Sequence, residues 1–195
     1  MNKMNSNIFI LGAGPSGICS AISSARMGLS VIIADRYAMP GGTLTNCWVN
    51  PMMTFHNENG DKVINGIAQE IVDNLVKNGF SPGHLRDTIG FAYSFTPYDN
   101  EGLKKVILEM ICREKIKLLL NTYFIKVKKK SRSEIGSVIL CNKSGMTEVS
   151  SGVFIDCSGD GELAFKSGLN FEIGNEQGRK QPFTLIFKLS DIDIN

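Results

Sequence analysis

Histidine occurs at only two positions in this chain, 56 and 84. Imidazole is the side chain that gains and loses a proton near neutral pH, so His56 and His84 are the first candidates for acid–base chemistry. Both lie among turn residues, in Thr54-Phe55-His56 and Ser81-Pro82-Gly83-His84. Polar groups carried on scaffolded loops are the usual source of active-site residues. The five cysteines at 19, 47, 112, 141 and 157 show no C-x-x-C or cluster spacing, so no metal or iron–sulfur site is expected. Cys47 is read as a small apolar filler before it is read as a redox thiol.

The strongest chemical signal is Gly12-Ala13-Gly14-Pro15-Ser16-Gly17, a G-x-G-x-x-G run. It follows the apolar stretch Ile8–Leu11 and opens a helical pattern to Met27. Gly28, the apolar run Val31–Ala34 and the acid Asp35 come next. Strand, glycine turn, helix, strand and acid in that order form a dinucleotide-binding βαβ unit. Gly12 suits the tight turn, Gly14 lets a pyrophosphate approach the backbone, and Gly17 lets helix and strand pack closely. Pro15 fits the first helical turn, where its missing N–H is not needed. The helix N-terminus presents free N–H groups to phosphate, and Asp35 offers a carboxylate to ribose hydroxyls.

A second glycine turn, Ser158-Gly159-Asp160-Gly161, follows the strand-like run Val153-Phe154-Ile155-Asp156-Cys157. Two such turns at strand ends fit one ligand lying outside the carboxyl edge of a parallel sheet. Asp160 is expected to have a ligand role, since an unpaired acid is costly to bury in such a turn.

The segments that must position these groups follow from periodicity. Arg36–Asp61 is a long irregular loop, and Gly41-Gly42-Thr43 within it can bring bare backbone against a flat ligand. Trp48 is expected to anchor that loop in the core. The spacing predicts helices over Lys62–Lys77 and from an Asp99 cap through Arg113, with Met110 on the inner face. Strands are predicted over Lys117–Asn121, Tyr123–Lys130, Ile135–Asn142, Met146–Ser150 and Val153–Cys157, with a hairpin turn at Lys143-Ser144-Gly145. A short helix is expected near Glu162–Lys166, and Pro182–Leu189 reads as further strand.

The chain has 195 residues, 43% hydrophobic and 21% charged, with a formal net charge of +2. That balance gives no reason to expect nucleic acid, and the lysines of 126–130 read as protection of a solvated strand edge. No apolar run is long enough to span a membrane. An odd cysteine count without a secretory signal suits the cytoplasm.

The ordered set of segments resembles the FAD-dependent oxidoreductases with a glutathione-reductase-type flavin fold. Within these it is similar to the FAD-oxidoreductase group related to fumarate reductase and to the flavin subunit of heterodisulfide reductase. The resemblance rests on 12–17, Asp35-Arg36, Gly41-Gly42-Thr43, Thr54–Gly60, Val63–Ile67, Ser81–His84, Thr96–Asp99 and Ile155–Gly161. It implies an α/β fold: an FAD/NAD(P)-binding Rossmann-like domain with a parallel sheet plus a β-meander, and the start of a substrate domain. It implies FAD held by Gly12, Ala13, Gly14, Pro15, Ser16, Gly17, Asp35, Arg36, Gly41, Gly42, Thr43, Ser158, Gly159 and Asp160. The expected division is an incomplete FAD-binding domain over 1–168, then the beginning of a substrate or cap region over 169–195. Such proteins usually return to the flavin domain near their C-terminus, so the chain is expected to be an N-terminal portion. Hydride transfer between flavin and a small substrate is the implied activity, with an external iron–sulfur or other redox partner. An NAD(P)-dependent Rossmann dehydrogenase and an inactive flavin-fold protein are the competing readings.

Overall fold

The computed structural model describes residues 1–189 and Asp191. Its elements are β1 (Asn2–Leu11), α1 (Pro15–Arg26), β2 (Val31–Ala34), β3 (Met52–Met53), α2 (Ile67–Lys77), β4 (Leu85–Arg86), β5 (Ser94–Thr96), α3 (Asn100–Arg113), β6 (Lys117–Leu119), β7 (Tyr123–Ser131), β8 (Glu134–Asn142), β9 (Gly145–Asp156) and α4 (Glu162–Lys166).

The main sheet runs β6-β2-β1-β9-β8-β7. Its first four strands are parallel, and β7, β8 and β9 form an antiparallel meander. This is the Rossmann-like α/β arrangement that the sequence implies. Ile8–Leu11 of β1 and the whole of β2 are apolar on both faces, as suits strands covered on both sides. Ile8, Ile10, Val31 and Ile33 pack with Ile18, Ile22, Leu75, Leu103, Ile107 and Met110 of the helical layer. Phe9, Leu11, Ile32 and Ala34 pack on the other side with Phe124, Val138, Leu140, Val149 and Leu163. A smaller sheet, β3-β5-β4, lies among the loop segments.

Several boundaries differ from the sequence reading. β1 begins at Asn2, because the mostly polar residues 2–6 pair with Thr147–Ser151 of β9. That same pairing runs the two expected strands at 146–150 and 153–157 into one strand of 12 residues. α2 starts at Ile67 rather than Lys62. Upstream, His56 and Lys62 form an isolated antiparallel bridge, and the Val63 and Ile64 N–H groups donate to the Phe55 carbonyl, so that stretch is extended. Residues 182–189 carry no strand, and Phe183, Leu185 and Phe187 stand exposed. An alternating pattern forms a strand only with a partner to complete its ladder. Of the expected region 169–195, residues 190 and 192–195 lie outside the described residues.

Other expectations match. Asp99 caps α3 by accepting from Gly102 N–H at 2.6 Å. Met110 is buried. The lysine-rich β7 is an edge strand. Among the described residues no helix is long and apolar enough to cross a membrane.

Candidate functional site

Parallel pairing sets the carboxyl ends of β2, β1 and β9 side by side, so the turns leaving them converge. The Gly12 N–H donates to the Ala34 carbonyl at 2.8 Å, and the Cys157 N–H donates to the Leu11 carbonyl at 2.7 Å. At Gly12 φ is +99°, and a Cβ there would collide with the Cys157 carbonyl oxygen. The two glycine turns are therefore in contact. Together they line one cavity of about 840 Å³.

Three further segments reach that cavity. Gly41 N–H donates to the Ala13 carbonyl at 2.7 Å, which brings Gly42 and Thr43 over the first turn. Asp35, Arg36 and Tyr37 follow β2. Thr122, Tyr123 and Phe124 arrive from the β6–β7 connection, where the Asn121 and Thr122 N–H groups donate to the Tyr37 and Asp35 carbonyls.

Of the expected cofactor residues, Gly12, Gly14, Pro15, Ser16, Asp35, Arg36, Gly42, Thr43, Ser158, Gly159 and Asp160 line the cavity. Ala13, Gly17 and Gly41 stand behind it, and a Cβ on Gly17 would run into the Gly12 carbonyl. Cys47, Tyr37, Thr122–Phe124, Asp156, Cys157, Gly161 and Glu162 also line it. The β6–β7 contribution has no local sequence signal.

The phosphate end of the cavity is built from backbone. α1 starts with no side-chain cap and no acid in its first turn. Helix geometry leaves its first N–H groups without internal partners, at the positive end of the dipole. Gly14, Pro15 and Ser16 carry this end to the cavity wall. A Cβ on Gly14 would meet only the Gly42 α-carbon, at 3.9 Å, whereas one on Gly42 would come within 2.8 Å of the Gly14 α-carbon. Internal packing thus explains glycine at 42 but not at 14, where the space a methyl would fill belongs to the cavity.

The acids have roles the sequence reading divided differently. Asp35 is buried, and its carboxylate accepts the Ala13 N–H at 2.6 Å and the Tyr37 N–H at 2.9 Å. It shapes the glycine turn from inside, whatever else it accepts. Asp156 accepts the Ser158 N–H at 3.0 Å, the Ser158 hydroxyl at 2.7 Å and the Ala164 N–H at 2.8 Å, and so ties the second turn to α4. Asp160 is 75% exposed and sits 3.8 Å from Arg36, itself 45% exposed. The burial cost that singled out Asp160 does not arise; the acid that organises the turn is Asp156. The visible signal for it was an acid closing an apolar strand directly before a turn and helix.

Loop 41–50 is pinned from α3 and the segment before it. The Tyr98 hydroxyl donates between the carbonyls of Leu44 and Val49, at 2.9 and 2.6 Å, and burial pushes its pKa up to about 12. Trp48, expected in the core, is 38% exposed, and its indole faces the ammonium groups of Lys104 and Lys188. Tyr98 and Asn100 take the anchoring role.

His56 and His84 do not line the cavity. The small sheet brings them to each other, with ring centroids 5.3 Å apart and edge-on. His56 Nδ1 lies 2.7 Å from Ser94 Oγ, and His84 Nδ1 lies 2.7 Å from Thr96 Oγ1. Phe55 packs on the His84 ring, and Tyr93 contacts both the His56 ring and the Arg86 guanidinium. Burial, then the charges of His56 and Lys62, push His84 below the ordinary histidine range, against a weaker opposing pull from Asp73. All five cysteines are free thiols. Among the described residues no cluster of three or more His, Cys, Asp or Glu is arranged to hold a metal.

Comparison with known proteins gives the family and the fold. The family model for FAD dependent oxidoreductases matches residues 7–195. The chain is similar to ferredoxin–NADP reductase of Salinispora tropica, 34% identical over 84 residues, covering 42% of this chain and 25% of that protein. Among solved structures it is similar in fold to a geranylgeranyl bacteriochlorophyll reductase-like protein of Thermoplasma acidophilum, with TM-score 0.62 and 11% identity, covering 86% of this chain and 43% of the other. It is also similar to a flavocytochrome c3 fumarate reductase, with TM-score 0.55 and 12% identity, covering 78% and 33%. The chain spans about a quarter of the length of the first curated relatives it matches.

Proposed function

This chain belongs to the FAD dependent oxidoreductase family, and from that premise we propose that it carries FAD in the cavity between its two glycine turns and serves hydride transfer with a small substrate. The observation that carries this reading is the uncapped α1 N-terminus beside Gly14, whose missing side chain serves only the cavity. FAD is the cofactor of the family, and the residues present fit it.

In this reading the first N–H groups of α1 and the Gly14 backbone hold the pyrophosphate. Asp35 and Arg36 flank the adenosine ribose, and Gly41, Gly42 and Thr43 run beside the flavin. Ser158, Gly159 and Asp160 close the opposite wall. Bound FAD supplies two-electron redox chemistry, while the protein supplies orientation and electrostatics. His56 and His84 are the proposed proton-handling groups on the substrate side, and 169–195 the start of a substrate region. The cytoplasm is the proposed location, consistent with five free thiols. An external redox protein, iron–sulfur or other, is the proposed electron partner, a reading favoured by the relative named for ferredoxin and NADP.

An NAD(P)-only Rossmann protein accounts for α1 but gives no use to the packing of Gly42 on Gly14 or to the second turn. The test is a visible spectrum of the purified chain followed by titration with FAD and, separately, NADH. Flavin uptake in preference to NADH supports the proposal. Tight NADH binding with no flavin uptake overturns it.

A further inference from the structure

The hydrogen bonds around His56 and His84 run in one direction each. Gln69 Nε2 donates to Asp73 Oδ1 at 2.7 Å, which turns Gln69 Oε1 toward His84 Nε2, 2.9 Å away. A carbonyl oxygen only accepts, so the His84 proton sits on Nε2 and its Nδ1 is bare. That Nδ1 receives the hydroxyl of Thr96, which is fully buried.

Around His56 the order is reversed. The Thr54 hydroxyl donates to the His56 carbonyl at 2.9 Å, so Thr54 Oγ1 is left as an acceptor for the Ser94 hydroxyl, 3.2 Å away. Thr54 has given its hydrogen to the His56 carbonyl, so for both Ser94 contacts to be hydrogen bonds Ser94 gives its own to Thr54 Oγ1 and its Oγ accepts from His56 Nδ1, 2.7 Å away. The His56 proton therefore sits on Nδ1, and Nε2 is the bare nitrogen.

We infer that the two imidazoles are held in opposite tautomers, so that His56 Nε2 is the one nitrogen of the pair available to exchange a proton with a ligand, with His84, Gln69 and Asp73 as positioning residues. Protonating His84 would turn its Nδ1–H against the Thr96 hydroxyl and force that buried hydrogen to find another acceptor. Protonating His56 adds a hydrogen at Nε2 and disturbs no bond in its chain. The charges facing the pair are Lys62 beside His56, Arg86 across Tyr93, and Asp73 from α2. A proton given up at Nε2 is replaced from solvent and one taken up is returned there. This deepens the proposed function by splitting the roles of its two histidines, and rests on that reading only for what the ligand is.

The test is long-range proton–nitrogen correlation of the imidazole rings in the 15N-labelled chain, with His56→Gln to assign the two spin systems. The expected result is a protonated Nδ1 in His56 and a protonated Nε2 in His84 above neutral pH. On acidification His84 keeps that single Nε2–H tautomer to below the ordinary histidine range. Gln69→Leu should turn the single His84 tautomer into a mixture and leave His56 unchanged. Matching tautomers, a His84 that takes up its second proton at or above the ordinary histidine pH, or a His84 indifferent to Gln69→Leu would overturn the inference. FAD uptake is measured on the same sample: opposed tautomers without flavin uptake sink the cofactor proposal alone, and flavin uptake with matching tautomers sinks this one alone.

Discussion

Gly12 packs its α-carbon so closely on Cys157 that a Cβ would collide with the Cys157 carbonyl. Gly14, two residues on, has φ −75°, and a Cβ there would have its nearest neighbour 3.9 Å away. The two glycines therefore separate folding from binding. Gly12→Ala combines left-handed strain with overpacking and is expected to cost about 2–6 kcal/mol, read as a fall in the urea midpoint. Gly14→Ala should change stability by less than about 0.5 kcal/mol and weaken FAD uptake about tenfold or more, near 1.4 kcal/mol. Equal losses of stability in both variants would contradict the assignment.

Asp35 is a support of the first turn before it is a ligand group. Asp35→Ala leaves the Ala13 N–H buried without its acceptor, and a loss of about 1–3 kcal/mol is expected. Asp35→Asn keeps one acceptor oxygen and should fall between Ala and the native protein. Chemical denaturation of the three proteins without flavin checks the order.

Asp156 and Asp160 are four residues apart and should behave oppositely. Asp156→Ala removes the acceptor for Ser158 and for the Ala164 N–H, and is expected to cost about 1–3 kcal/mol. Asp160→Asn breaks only a long exposed pair with Arg36 and should leave the denaturation midpoint within about 0.5 kcal/mol of the native value.

The depressed His84 pKa has a signed consequence for stability. The unfolded chain takes up that proton at a higher pH than the folded one does, near the ordinary histidine value of 6.5. The contribution is fully present above that value and is lost as pH falls through the lower folded pKa. Denaturation midpoints between pH 7 and pH 5 should fall more steeply for the native chain than for His84→Gln; equal slopes would contradict it.

The Glu70 carboxylate joins Arg26 of α1 to Arg113 of α3, at 2.7 Å from the first. Hydrogen bonding to Arg26 holds its pKa down, so its support is present above the ordinary carboxylate range and is lost as pH falls through the lowered value. Glu70→Gln should cost no more than about 1 kcal/mol, with a difference from the native midpoint that shrinks in high salt.

What the sequence determined by itself was local. The order of strand, Gly12–Gly17, helix and Asp35 specified the βαβ unit, because turn strain, helix start and packing distance act over a few residues each. The cap at Asp99, the edge lysines of β7 and the turn before α4 were legible for the same reason. What the tertiary structure decided was which distant segments meet. Parallel pairing of β1 with β9 set Cys157 on Gly12, and the β6–β7 connection delivered Thr122–Phe124 to the same cavity. The exchange of roles between Asp156 and Asp160, and the meeting of His56 with His84, depend on side-chain direction at the end of a long strand and on the small sheet. Residues 182–189 mark the limit from the other side: an alternating pattern states a preference for strand, but only a partner strand supplies the hydrogen bonds that realise it.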